Sequence, residues 1–225
     1  MIRLRAVSKV HKNGFKALDG VDLTVSKGEF LYLVGPSGAG KSTLLNMIFC
    51  TEEPSDGDIF IDNFSLRTLS KKQVPFYRRN VGMIFQDYKL LPNRTVYENI
   101  AFALRVMHYS RSKIRAHVMQ VLELVGLQDK TKHYPSELSG GEQQRICIAR
   151  AIVNDPAILL ADEPTESLDP ETSWEIIHLL SKINTRKTTV IVATHNQGIV
   201  DDVRKRVVEL GEGKVIRDQY LGKYE

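Results

Sequence analysis

Residues 30–43 read Phe30-Leu31-Tyr32-Leu33-Val34-Gly35-Pro36-Ser37-Gly38-Ala39-Gly40-Lys41-Ser42-Thr43. Five apolar residues in succession, with no polar alternation, have the pattern of a strand buried on both faces. The nine that follow fit G-x-x-x-x-G-K-S/T, and they do so where that motif belongs, after a strand and before a helix that begins near Lys41. Gly35, Gly38 and Gly40 let the backbone curl so that successive N–H groups point inward, making a concave anion site at the start of the helix. Lys41 is then placed to reach the β- and γ-phosphates of a nucleotide, and Ser42 to ligate Mg²⁺.

The rest of the chain sets the frame for that loop. At 225 residues it is long enough for one large α/β domain, or a core with a subdomain. Its 31 Lys and Arg exceed its 27 Asp and Glu by four, but the charges are scattered and no basic block appears, so direct nucleic-acid binding is not expected. Cys50 and Cys147 fall in apolar helical patterns without CxxC spacing, which argues against disulfide or zinc and for a reducing compartment. The sequence opens on Met1-Ile2-Arg3-Leu4-Arg5, and no apolar stretch reaches the ~18 residues of a membrane span. A soluble, cytosolic protein is expected.

Residues 2–7, 21–25, 30–34 and 58–62 are short β-prone runs separated by Gly, Asn and Asp turn signals. Helical periodicity takes over in the middle, from Thr95 through Met107 and from Ser110 through Val125, where Gly126 stops it. Residues 87–137 therefore read as a helical insert between two strand-bearing parts, 1–86 and 138–225. After the insert come a helix from Ser139, a strand at 158–161, a helix after Pro170, a strand at 189–193 and short strands near Val207 and Val215. That alternation predicts an α/β fold with a mostly parallel sheet and crossover helices.

A second phosphate element lies in Ile158-Leu159-Leu160-Ala161-Asp162-Glu163-Pro164. An apolar strand here ends in two carboxylates at its C-terminal edge, where ligands bind in open α/β sheets. Asp162 is placed to hold Mg²⁺ through water and Glu163 to polarise an attacking water; without the upstream loop, both would read as solvated turn residues. His195, at another strand end, could contact the γ-phosphate or be a structural residue. Leu138-Ser139-Gly140-Gly141-Glu142-Gln143-Gln144-Arg145 begins about a hundred positions after the phosphate loop. Ser139 is an N-cap candidate and Gly140 and Gly141 expose the first amides of an amphipathic helix, so a helix N-terminus is presented to an anion. The first loop already covers one triphosphate, which suggests an ATP site completed by a second copy of the chain.

Over the whole chain, and in the same order, these motifs resemble those of the ATP-binding cassette (ABC) ATPases. Residues 138–145 are similar to their signature motif, Gln86 in Ile84-Phe85-Gln86-Asp87 to their Q-loop glutamine, Ser167-Leu168-Asp169 to their D-loop, and His195 to their switch histidine. The resemblance implies a P-loop NTPase fold with an antiparallel N-terminal β-subdomain, and a head-to-tail homodimer in which each signature motif caps the ATP held by the other subunit. It implies ATP and Mg²⁺ as cofactors. Nucleotide contacts would come from Gly35, Pro36, Ser37, Gly38, Ala39, Gly40, Lys41, Ser42 and Thr43, and from Ser139, Gly140, Gly141 and Asp169. The metal would lie near Ser42, Gln86 and Asp162, and catalysis would fall to Glu163 and His195 with Lys41 and Gln86. Two departures stand out. Where many members stack a tyrosine on adenine, this chain has His11 with Phe15 close behind, and either ring could stack; Glu166-Ser167 stands where many close relatives carry Gly-Asn.

The cassette serves importers, exporters, mechanotransducers and DNA-repair machines. One cassette, and no long heptad insertion, directs the expectation toward a membrane partner. Residues 74–91, Val74-Pro75-Phe76-Tyr77-Arg78-Arg79-Asn80-Val81-Gly82-Met83-Ile84-Phe85-Gln86-Asp87-Tyr88-Lys89-Leu90-Leu91, resemble the bacterial cell-division branch, where Pro-Phe-x-Arg-Arg precedes the Q-loop and Asp-x-x-Leu-Leu follows it. Lys12-Asn13-Gly14 and residues 217–224 are similar too. That resemblance implies an FtsX-like integral membrane partner docked near Gln86 and the insert, with Tyr88, Leu90, Leu91 and Tyr97 as candidate contacts. The protein would sit peripherally on the cytoplasmic face of the bacterial plasma membrane at the division site, and its output would be mechanical, regulating cell-wall hydrolases. The alternatives are the ATPase of a lipoprotein-release or macrolide-export transporter, and a scaffold that binds nucleotide without hydrolysing it. Intact Glu163 and His195 speak against the last.

Overall fold

The protein is described by a computed structural model covering residues 2–220. It opens with β1 (Ile2–Val10), β2 (Lys16–Val25) and β3 (Phe30–Val34), followed by α1 (Lys41–Ile48), β4 (Asp56–Ile61), the two-residue β5 (Phe64–Ser65), α2 (Val74–Arg78) and β6 (Val81–Ile84). The middle carries α3 (Val96–Val106), α4 (Arg111–Val125) and α5 (Gly140–Ile152). Then come β7 (Ile158–Asp162), α6 (Pro170–Asn184), β8 (Thr189–Ala193), α7 (Gln197–Val203), β9 (Arg206–Gly211) and β10 (Lys214–Gln219).

Two sheets result. The first is antiparallel, in the order β2-β1-β4-β5; the second runs β10-β9-β3-β8-β7-β6 and is parallel except for β10, which folds back on β9. β3 lies inside the parallel sheet, Leu31 opposite Ile191 on one side and Arg206 on the other. The unbroken apolar run at 30–34 follows from this position, since both faces of the strand are covered. Phe30, Tyr32 and Val34 join a core built with α3, α4, α5 and α6, whereas Leu31 and Leu33 join a core built with α1 and the antiparallel sheet. β7 and β8 divide in the same way, with Leu159, Ala161, Val190 and Val192 on the first face and Leu160, Ile191 and Ala193 on the second. α5 packs on α3 and α4 on one side and on β6 and α6 on the other.

Helix ends fall where their caps lie. Thr95 and Glu98 form a capping box at α3, and Ser110 accepts from the Lys113 N–H at α4. Gly126 ends α4 in the left-handed conformation at φ 73°. Asp169 caps α6, with Pro170 at its first position.

Some expectations need correction. β1 and β2 are longer than the runs at 2–7 and 21–25, because register shifts between Leu4 and Val10 and a positive φ at Ala6 (47°) carry the pairing through residues that look like a turn. α2, β6 and α7 have no counterpart in the sequence reading. Each is short, and β6, all four residues buried, has no polar alternation to announce it. Cys50 is not helical; it lies past the C-cap Phe49 of α1 at φ 60°, and burial pushes its thiol up to about 11. Within the resembling tail, residues 221–224 lie outside the described residues.

Candidate active site

The phosphate loop is wedged between β2 and β9. At Gly40 (φ 101°) a β-carbon would stand 2.4 Å from the Ala17 carbonyl oxygen, and at Gly35 (φ 140°) 2.2 Å from that of Leu210, so only glycine fits either position. Lys41, the first residue of α1, is buried and folds over the loop. Its Nζ donates to the carbonyls of Gly35 (2.8 Å) and Pro36 (3.2 Å) and lies 3.6 Å from Glu163 Oε1.

The adjoining strand ends supply the other groups. Ser42 Oγ donates to Asp162 Oδ1 at 2.9 Å, tying the start of α1 to the last residue of β7. Burial, above all, holds the Asp162 carboxyl above its ordinary value; the Ser42 hydrogen bond opposes this, and the neighbouring charges of Glu163 and Glu166 add to it. Glu163 follows with a positive φ of 45°, fixed by its N–H donating to the Ala193 carbonyl at the end of β8 (2.9 Å). His195, two residues beyond β8, places Nδ1 3.0 Å from Glu163 Oε1, and its backbone N–H donates to Oε2 at 3.3 Å. Thr194 N–H donates to the Leu33 carbonyl (3.0 Å), joining the ends of β8 and β3. Gln86 lies two residues past β6, so the carboxyl ends of β3, β6, β7 and β8 converge on one edge of the sheet. One cleft there is lined by Ser37, Gly38, Gly40, Lys41, Ser42, Thr43, Gln86, Glu163, Glu166 and His195, with Phe15 and Ala17.

The candidate metal donors, Ser42 Oγ, Asp162 and the Gln86 amide oxygen, are all hard oxygens. Among the described residues no three His, Cys, Asp or Glu side chains form a ligand cluster. The chain offers a few oxygens rather than a cage, which suits Mg²⁺, an ion that keeps waters and phosphate oxygens around it.

Several expected residues stand elsewhere. Phe15 is exposed on the cleft, while the half-buried His11 does not line it and stacks behind at 6.2 Å between ring centroids and 6° between planes. Ala39 is buried, and Gly35 and Pro36 contribute carbonyls to Lys41. Ser139, Gly140, Gly141 and Asp169 do not line the cleft. Ser139 Oγ accepts from Glu142 N–H (3.2 Å) and Ser139 N–H donates to Glu142 Oε2 (2.9 Å), a capping box whose amide holds the Glu142 carboxyl below its ordinary value. Asp169 accepts from Thr172 Oγ1 and N–H at 2.6 and 2.9 Å, which lowers its carboxyl likewise. A β-carbon on Gly141 would meet Thr172 Cγ2 at 2.5 Å, so α5 and α6 start side by side and form a second polar face. Tyr88, Leu90 and Tyr97 pack partly against the core, and Leu91 is the exposed member of that set. Sequence reading missed Glu166 as a cleft residue. Its signal was the three-residue spacing from Glu163 across a tight turn, in which Glu166 N–H donates to the Glu163 carbonyl at 3.3 Å.

A family model described as ABC transporter matches residues 18–166. The chain belongs to that family. It is 51% identical over 224 residues to the cell division ATP-binding protein FtsE of Bacillus subtilis, covering 100% of this chain and 98% of that one. It is 49% identical over 225 residues to FtsE of Mycobacterium tuberculosis, with 100% and 98% covered. Among solved structures, a dimeric post-hydrolysis state of the ATP-binding cassette MJ0796 bound to ADP and Pi superposes with a TM-score of 0.90 at 37% identity, over 100% of both chains. The chain is thus an ABC-type ATPase of the FtsE kind, with the ABC ATPase fold. Among the described residues no helix is long and apolar enough to cross a membrane.

Proposed function

We propose that the chain works as a homodimer closed around two Mg²⁺-ATP, each phosphate loop capped by the Ser139–Gly141 end of the other subunit's α5. Closure drives movement in an FtsX-like integral membrane protein that regulates cell-wall hydrolases at the division site, from a peripheral position on the cytoplasmic face. The observation that carries the catalytic part is Glu163, poised between His195 Nδ1 at 3.0 Å and Lys41 Nζ at 3.6 Å beside the Ser42–Asp162 pair. Glu163 polarises the attacking water, His195 orients Glu163, and Lys41 with the partner's helix end stabilises transferred charge. Ser42, Asp162 and Gln86 would hold Mg²⁺, whose charge would offset that of the nucleotide's phosphates. Phe15, rather than His11, stacks on the base. The homodimer is supported by the separation of the α5 and α6 starts from the cleft and by the dimer named for MJ0796.

An apolar groove supports the membrane partner. Phe49, Phe85, Phe102, Val106 and Met107 line it beside the Gln86 segment and the helical insert, here taken as 87–137, and Phe102 and Val106 are each 52% exposed. The test is Glu163→Gln, which removes the base while keeping the size of the side chain. Turnover should fall by about 10²–10⁴-fold while ATP now traps a dimer visible by light scattering. Unchanged turnover would refute the assignment.

A further inference from the structure

Two glutamates line the cleft, Glu163 and Glu166, and only the first has a task in hydrolysis. Glu166 is held on a short turn, its own N–H donating to the Glu163 carbonyl at 3.3 Å and Leu168 N–H donating to the Thr165 carbonyl at 3.2 Å, with Thr165 buried beneath. The backbone of Glu166 is therefore fixed relative to the base. From there its Oε2 accepts a hydrogen bond from Gln86 Nε2, across 80 positions of sequence. An ionised carboxylate only accepts and, of the two ends of a glutamine amide, only the NH₂ donates. The pairing therefore selects one of the two flips of Gln86 and leaves Oε1, the end suited to a hard cation, uncommitted to Glu166.

We propose that Glu166 is a positioning residue that orients the Gln86 amide so that its oxygen meets the cation held by Ser42 and Asp162. The inference rests on the Mg²⁺-ATP reading of the cleft. It makes the loop after β6 and the turn after β7 a single unit, so that displacing either alters the metal site. Outer partners of this kind tune metal affinity without touching the ion.

Glu166→Ala, Gln86→Ala and the double variant separate this role from its rivals. Each is compared with the unchanged chain by Mg²⁺ titration of ATP hydrolysis and by the NMR signals of the Gln86 side-chain amide, identified by their loss in Gln86→Ala. Glu166→Ala should raise the half-saturating Mg²⁺ concentration about tenfold. The rise should shrink to less than about twofold once Gln86 is already alanine, and the amide signals should move toward those of a solvated glutamine. Glu166→Gln, whose own amide oxygen still accepts, should restore most of the Mg²⁺ response. An equal rise in both backgrounds overturns the proposal, because Glu166 would then act on the cation directly. Absence of any rise, or amide signals that do not move, overturns it as well. Should the unchanged chain hydrolyse no ATP with Mg²⁺, the functional reading fails instead, and the amide signals still decide the pairing.

Discussion

Gly38 and Gly40 are two residues apart, yet a methyl group added to each meets opposite surroundings. At Gly40 it would strike the Ala17 carbonyl at 2.4 Å and Leu18 Cδ2 at 2.6 Å; at Gly38 nothing lies within 4 Å. Both have positive φ, 101° and 81°, so both substitutions carry backbone strain, but only Gly40→Ala adds a collision with main chain. Gly40→Ala should lower stability by more than about 2 kcal/mol, a fall in Tm of roughly 2–4 °C for each kcal/mol in a chain of this size. Gly38→Ala should cost about 1 kcal/mol and, if the cleft that Gly38 lines holds nucleotide as proposed, be felt chiefly as weaker nucleotide binding. Thermal melts and nucleotide titration of the two variants check the contrast. Residues of this kind were legible in sequence because their chemistry is local: a loop, its lysine and its hydroxyl are consecutive. Glu166 was not, since what gives it a role is Gln86, a neighbour in space only.

The starts of α3, α5 and α6 share one device, a carboxylate that accepts hydrogen bonds from a residue three positions away across the helix start. Glu98, Glu142 and Asp169 are each pushed below their ordinary values, mainly by hydrogen bonds from Thr95, Ser139 and Thr172 respectively. Their folded-state affinity for protons is below the unfolded one, so the stabilisation is whole above the ordinary values of 4.5 for Glu and 3.8 for Asp and is lost as pH falls through the depressed ones. Tm should drop on acidification across that window, and Glu142→Gln should make the acid limb shallower. Buried Asp162 has the opposite sign, its raised value giving a contribution that declines as pH rises. Ser139→Ala, which removes the other half of the α5 box, should cost about 1 kcal/mol by thermal melt. Caps made these helix boundaries readable. Strand β6 was hidden because four buried residues have no period, and β1 and β2 were read short because their bulges mimic turns.

On the scale of the whole molecule, alternation along the chain foretold a parallel sheet but not its order. β3 pairs with β8 and β9, strands that follow it by more than 150 residues, and such crossover neighbours leave no mark on either segment. The groove was likewise out of reach of sequence, because it gathers Phe49, just past α1, Phe85, just past β6, and Phe102 of α3. Phe102→Asp should abolish co-purification of the membrane partner from detergent extracts while basal ATPase activity stays within about twofold. Retained co-purification would move the interface elsewhere. α5 runs past this region toward the polar face at its own start, where a β-carbon on Gly140 would lie 3.5 Å from the Tyr88 hydroxyl. Near its end, Arg150 grips the carbonyls of Tyr88 and Lys89, two residues forced to φ 55° and 47°, and Cys147 donates to the same Tyr88 oxygen. Its other end is the glycine pair at 140–141, and the whole helix of thirteen residues is about 20 Å long. A helix is stiff along its axis, so under the proposed function a displacement imposed at Lys89 would be handed on toward Gly140 rather than absorbed. Under the proposed function the machine would be geared by distance, the length of a push at the groove setting the width of the gap that a second subunit must close.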